Sequence, residues 1–279
     1  MTSLQPNRVS SSHSQSQQVL ARHGKSFYWA SKFLGAELAE RAAQLYLFCR
    51  YVDDLADGDL PDRQESLKDI RHRLGGNVIS AGPEIEAFME LASAYNIPLS
   101  AATELLDGML SDQTPTAVAD EAELLSYCHA VAGTVGLMMC RVLNCDEPRA
   151  DSFAIDLGIA MQLTNIARDV LEDAKMGRRY IPGSWINNIS PNAMIQGVND
   201  NNTEIFRTVS FGIKKLLNLA EKYYYSGTQG LIFLPLKTRI AISIASGVYR
   251  QIGIQLKLKN YCWYNGRQVT SNITKAKVT

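Results

Sequence analysis

The sequence lacks an excess of charge of either sign. Lys plus Arg and Asp plus Glu are each 28 in 279 residues, so no global field draws the chain to nucleic acid or to an anionic membrane, and any anion specificity has to be local. It lacks paired cysteines too. Cys49, Cys128, Cys140, Cys145 and Cys262 are odd in number, lie in or near apolar segments and include no CxxC, which argues against a disulfide framework and a zinc or dithiol site and fits a reduced cytoplasm. No GxGxxG turn between a strand and a helix announces a nicotinamide site. No apolar run of about 18 residues is free of charge: the best candidate, LIFLPLKTRIAISIASGVY, carries Lys237 and Arg239, so no spanning helix is expected. The N-terminus, MTSLQPNRVSSSHSQSQQ, has no basic start leading into an apolar core, so it is not a signal peptide. Polar tails are expected over residues 1–18 and 265–279. Between them, residues 19–264 suffice for one large domain, with the 46% hydrophobic and 20% charged content of a soluble globular protein.

Strand signals are scarce and helix signals dominate. HGKSFYWASKFLGAELAERAAQLYLFCRYVDDLAD reads as two helices broken near Leu34 and Gly35, and Gly58 to Asp62 stops the second. Residues 62–74 and 84–95 read as amphipathic helices joined by GGNVISAGP, and Pro98 opens the next, through TELLDGMLSDQ. SYCHAVAGTVGLMMCRVL follows, with two glycines that each cost roughly 0.5–1 kcal/mol in a helix interior and so call for close packing or room for a ligand. Pro182 to Asp200 reads as a mixed loop. A long helix with a turn at Ser226 to Gly230 comes next, and KTRIAISIASGVYRQIGIQL closes the bundle.

The chemistry concentrates in QLTNIARDVLEDAKMGRRYIP, residues 162–182. On a helix, Gln162, Asn165, Asp169 and Asp173 step by three, four and four, so two amides and two carboxylates share a face, about 5–6 Å apart. Like charges that close repel unless a cation lies between them. Oxygen-only ligands select Mg²⁺ or Mn²⁺ over zinc, and Lys175, Arg178 and Arg179 just downstream would suit an anionic substrate. A DxxED helix face standing alone is most often simply solvated. The chain holds a second one, however: in YLFCRYVDDLADGD, Tyr46, Arg50, Asp53 and Asp57 share a face by steps of four, three and four. Two such helices face to face would line a cleft with carboxylates on both walls, which suits a diphosphate held through metal. Asp107 and Asp112, five apart, do not share a face; Asp112 is a candidate acid or a solvated position.

These residues resemble the squalene/phytoene synthases, the head-to-head prenyl diphosphate synthases. DDLAD at Asp53 to Asp57, DVLED at Asp169 to Asp173, GRRYIP, HGKSF at His23 to Phe27, YCHAVAGTVG at Tyr127 to Gly136 and VYRQIG around Tyr249 carry the resemblance over roughly residues 20 to 255. It implies an all-α, single-domain helical bundle of the isoprenoid synthase type with a central cavity. It further implies metal at Asp53, Asp57, Asn165, Asp169 and Asp173, diphosphate contacts from Lys25, Ser26, Arg50, Arg168 and Gln162, and Tyr127 near the diphosphates. Phe27 would face the hydrocarbon, and Phe27, Tyr46, Tyr127 and Tyr249 would offer rings to a carbocation. The implied activity is the Mg²⁺-dependent 1′–1 condensation of two geranylgeranyl diphosphates to phytoene, without NADPH. A C15-using member making presqualene diphosphate, squalene or dehydrosqualene is the alternative, and a non-catalytic, assembly-factor-like relative, which would tend to lose the aspartates, the third. A cytoplasmic protein in peripheral contact with the inner membrane is expected, because the product is insoluble in water; nothing in the sequence sets an oligomeric state.

Overall fold

The computed structural model describes residues 16–58, 62–76, 82–113 and 116–266. Among them are helices and short helical turns, and the one β contact is an isolated parallel bridge between Ala117 and Arg179. In chain order the helices are α1 (residues 16–23), α2 (Lys25–Ser31), α3 (Ala36–Asp57), α4 (Arg63–Leu74), α5 (Pro83–Ala94), α6 (Leu99–Ser111) and α7 (Glu121–Cys128). They continue as α8 (Thr134–Val142), α9 (Asp151–Arg168), α10 (Val170–Lys175), α11 (Pro191–Asn199), α12 (Thr203–Gln229) and α13 (Leu236–Leu258). The fold is thus all-α, as expected.

Local chemistry accounts for the boundaries. Gly35, at φ +81°, separates α2 from α3 in a conformation glycine adopts without strain, and Pro83 opens α5 at its first turn. Asp120 caps α7 by accepting from Glu123 N–H at 3.0 Å, while Glu123 accepts from Ala119 N–H at 2.7 Å. Asn202 caps α12 by accepting from the N–H groups of Glu204 and Ile205.

Helix α9 is the axis of the bundle, flanked by α12, α8 and α13. One apolar core lies between α9 and α12, around Leu163, Ile213 and Leu216. A second gathers α3 to α6 with α8, around Phe48, Phe88 and Leu106, with the Phe48 and Phe88 rings stacked 3.7 Å apart. The functional space lies between the two cores. Helices α8 and α9 touch there through backbone: a Cβ on Gly136 would fall 2.2 Å from the Ala154 carbonyl oxygen, and one on Gly158 2.2 Å from that of Ala132. Both reasons for glycine therefore hold at Gly136, and at Gly158 of α9, since each also lines a cavity.

The structure corrects several expectations. Residues 16–18, placed in the N-terminal tail, are helical, with Ser16 buried and donating to Glu40 at 2.7 Å. Most of GGNVISAGP and residues 267–279 lie outside the described residues. The segment 182–200 is not a loop: it holds a 3₁₀ turn at Gly183–Trp185 and then α11, opened by Ser190 capping Ala193 N–H and by Pro191. No turn breaks the chain at Ser226; α12 continues to Gln229 and tightens into a 3₁₀ turn at Gly230–Phe233. Gly227 and Gly230 are small because they press on Leu157 and Phe153 of α9. Finally, Glu121–Val142 forms one helical run through a π-turn at His129–Gly133 and is, by length and composition alone, apolar enough to cross a membrane. Here it packs on α6 and α9, and its apolar side chains wall a cavity.

Candidate active site

Two connected chambers lie between the cores. The first is polar, about 370 Å³, and its walls come from five places in the chain. Helix α3 presents Arg50, Asp53 and Asp57, because its neighbouring face, Leu45, Phe48 and Val52, is buried in the second core. Opposite stand Gln162, Asn165, Asp169, Glu172 and Asp173. The helix is interrupted at Asp169 (φ −102°, ψ 14°). The expected single face survives because Asp169 N–H still donates to Asn165 O at 2.9 Å, and Asp173 N–H to Asp169 O at 2.8 Å. Asp112, Tyr127, Arg178 and Tyr180 complete the wall.

The carboxylates are crowded and arginines answer them. Arg50 pairs with Asp53 at 3.1 Å and with Asp54. Arg178 reaches across the cleft to Asp57 at 2.8 Å, linking residues 121 positions apart. Burial, and then Asp57, push Asp53 up to about 6 in spite of Arg50; burial, and then Asp169, push Asp173 up to about 8. Both shifts describe a site short of positive charge. Two further oxygens wait unpaired: Asn165 Oδ1 and Glu172 Oε2 are buried without a hydrogen-bond partner, although Asn165 Nδ2 donates to Gln162 at 3.3 Å.

The second chamber is apolar, about 380 Å³, and lined by side chains from α1, α2, α3, α8, α9 and α13 together with the 3₁₀ turn after α12. Phe27, Tyr46 and Tyr249 stand in its wall, with the Phe27 ring 5.1 Å from Tyr249 and 6.3 Å from Tyr46. Burial pushes the Tyr46 phenol up to about 12, so it stays protonated. Arg50, Asp53, Met109, Val131, Gln162 and Asn165 line both chambers. A ligand with an anionic head and an apolar tail fits this junction.

Three residues expected to contact a diphosphate, Lys25, Ser26 and Arg168, do not line either chamber. Lys25 is exposed and Ser26 half-buried, and neither lines a chamber, because the seven-residue α2 turns Phe27 and Ala30 inward instead. Arg168 lies behind the wall, where its Nε donates to Asp169 Oδ1 at 2.7 Å; it orients a carboxylate from there. The remaining candidates, Phe27, Tyr46, Arg50, Asp53, Asp57, Tyr127, Gln162, Asn165, Asp169, Asp173 and Tyr249, converge on the two chambers.

Tyr180 was missed and Asp112 undervalued. The Asp112 carboxylate accepts from the hydroxyls of Tyr127 and Tyr180, both at 2.8 Å, and the two rings stack 4.7 Å apart. Burial and the Asp112 charge push both phenols up. No periodicity could pair Asp112 with them, because they come from three separate segments. Asp112→Ala leaves two phenols without their acceptor and is expected to lower the unfolding free energy by about 1–3 kcal/mol. Urea denaturation reads this directly, and an unchanged midpoint would mean the phenols find other partners.

The family model described as Squalene/phytoene synthase matches residues 20–274. The chain belongs to that family. Among curated relatives it is 34% identical to a 15-cis-phytoene synthase of Pantoea ananas, an alignment covering 92% of this chain and 86% of that one. It is 33% identical to a phytoene synthase of Rhodobacter capsulatus, over 85% of this chain and 70% of the relative. Two solved family structures share the fold. A dehydrosqualene synthase superposes with a TM-score of 0.83 at 24% identity, over 96% of this chain and 94% of that one. A squalene synthase from Alicyclobacillus acidocaldarius gives 0.77 at 19% identity, over 92% and 97%. The two-chambered site therefore lies in a bundle of this family, with Asp53 and Asp57 on one wall and Asp169 and Asp173 on another.

Proposed function

We propose that the protein is a phytoene synthase, a prenyltransferase that joins two geranylgeranyl diphosphates head to head. The observation that carries this reading is the junction itself, where a carboxylate-lined chamber shares its wall with an apolar, aromatic one. Relatives named phytoene synthase over most of the chain support C20 over C15 substrates.

The residues present fit a divalent cation. Asp53, Asp57, Asp169, Asp173 and the unpaired Asn165 Oδ1 form a hard-oxygen set short of positive charge. Among the described residues no three acidic, His or Cys side chains group closely enough to hold an ion by themselves. When bound, Mg²⁺ would neutralise the diphosphate as it leaves.

The chain's own residues do the rest. Arg50 and Arg178 offer N–H donors to the departing diphosphate, and the polar chamber keeps that anion beside them. The faces of Phe27, Tyr46 and Tyr249 meet the allylic cation, which a desolvated ring stabilises by about 2 kcal/mol. The apolar walls exclude the water that would quench it. The new 1′–1 bond forms with loss of one diphosphate and one proton, giving a cyclopropylcarbinyl diphosphate. Loss of the second diphosphate, rearrangement and loss of a second proton complete the linear C40 product, with no reductant consumed. We place this work in the cytoplasm, in peripheral contact with the inner membrane that receives the product. Incubation with geranylgeranyl diphosphate and Mg²⁺ alone is expected to yield a hydrocarbon with the ultraviolet absorption of a conjugated triene. Product that forms only when NADPH is added would contradict the reading.

A further inference from the structure

The balanced net charge hides a sharp segregation. All 28 acidic residues fall between Glu37 and Glu221, so residues 1–36 and 222–279 carry Lys and Arg and no carboxylate side chain. Within the described residues the two acid-free stretches meet in the fold. Ala30 of α2 clusters with Ile244, Ala245 and Val248 of α13, setting the outer sides of these helices next to each other. Lys25, Lys32, Lys237, Lys257 and Lys259 are exposed there. Lys32 lies 5.2 and 5.3 Å from the Tyr28 and Trp29 rings, a pairing of amphipathic aromatics with a cation that suits a membrane interface.

The same surface is unusually apolar. Ile232, Leu236, Ile240, Ile254 and Leu258 are among the most exposed large apolar side chains of the protein; Leu258 is 77% exposed, Leu236 69% and Ile232 68%. Leu236, Ile240, Ile254 and Leu258 fall on one side of α13 by helical spacing. Ile232 is held out by Arg239, whose guanidinium donates to the carbonyls of Ile232 and Leu234 at 2.9 and 3.1 Å. Directly behind this surface is the apolar chamber. Leu231, next to Ile232, and Leu234 line it, as do Ala241, Ala245 and Tyr249 from the inner side of α13. The wall is one helix thick, about 10 Å.

We propose that the outer face of α13, with the 3₁₀ turn Gly230–Phe233 and α2 beside it, docks on an anionic lipid bilayer and sets the apolar chamber against the hydrocarbon that receives the product. The docking rests on charge and exposure; the delivery of product rests on the proposed function. The positive charge expected only locally is thus gathered on one face, where basic residues close to an anionic surface and inserted apolar side chains act together.

Flotation of the full chain, without substrate, tests the surface. It is expected to float with vesicles of equal parts phosphatidylglycerol and phosphatidylcholine, and roughly tenfold less with phosphatidylcholine alone. Ile232→Glu with Leu236→Glu, and separately Lys237→Glu with Lys257→Glu, are each expected to weaken flotation roughly tenfold. None of the four lines a chamber, so turnover of detergent-dispersed substrate is expected to stay unchanged. Equal flotation on both vesicles, or variants that float like the unaltered chain, would overturn the proposal. So would a dimer in sedimentation that Leu236→Glu dissociates while the unaltered chain fails to float, since a second copy would then be the occupant. Flotation needs no turnover, so a chain that floats yet consumes no prenyl diphosphate supports the docking surface and rejects the functional reading.

Discussion

Asp53→Asn and Asp173→Asn are each expected to lower turnover by roughly 10²–10³-fold, the usual cost of removing one preorganised electrostatic contact, while the helical fold persists. The two residues stand on opposite walls of the polar chamber, Asp53 where both chambers meet and Asp173 one turn beyond Asp169. Each is costly to ionise without a cation beside it, since burial pushes Asp53 up to about 6 and Asp173 up to about 8. An amide keeps the shape and removes the charge. The same shifts set the stability of the metal-free protein. A carboxyl raised in the folded state contributes stability that is complete below its unfolded value of about 4 and is lost as pH rises through the folded value. The metal-free protein should therefore melt at lower temperature at pH 8 than at pH 6, and Asp173→Asn should reduce that difference. Turnover left intact in either variant, with unchanged circular dichroism, would remove the aspartates from the site.

Enlarging a side chain in the apolar chamber is expected to change which substrate is used. Val135 and Ala154 line that chamber and are only partly buried in a packed interior, so they face its open space. Val135→Phe or Ala154→Phe would fill part of the volume a C20 tail needs while leaving the diphosphate-binding wall untouched. The preference for C20 over C15 diphosphate is expected to fall by roughly 10²-fold or more, since pocket discrimination reaches that scale for even a small change in chain. Competition between the two substrates in one mixture measures the ratio. A parallel fall in both, with the ratio kept, would place the tails elsewhere.

How much of this was legible in the sequence follows from the reach of each signal. Helical spacing acts within one element, and it correctly gathered Arg50, Asp53 and Asp57 on one wall and Gln162, Asn165, Asp169 and Asp173 on the other. The facing of those walls rested on the resemblance rather than on spacing. Contacts between distant segments left no local trace: Asp112 with Tyr127 and Tyr180, and Arg178 with Asp57, exist only once the chain is folded. Glycine misled twice for one reason. Gly227 and Gly230 look like a turn, yet they mark where α12 and its final turn press on α9. The position of Lys25 was not legible either, because a motif names residues without fixing which side of a seven-residue helix faces inward, and Lys25 stands exposed outside both chambers. The acid-free ends were plain in the sequence, but only the packing of α2 on α13 makes them one surface.

The claim that two C20 chains occupy the apolar chamber with their diphosphates on the paired aspartates is tested most directly by one competition. The unaltered protein is given equal C15 and C20 diphosphates with Mg²⁺ and no reductant, and consumption of each is followed together with the products. Preferential consumption of the C20 substrate, with a C40 conjugated triene as the product, is the predicted result; faster consumption of the C15 substrate, with C30 products, would contradict it.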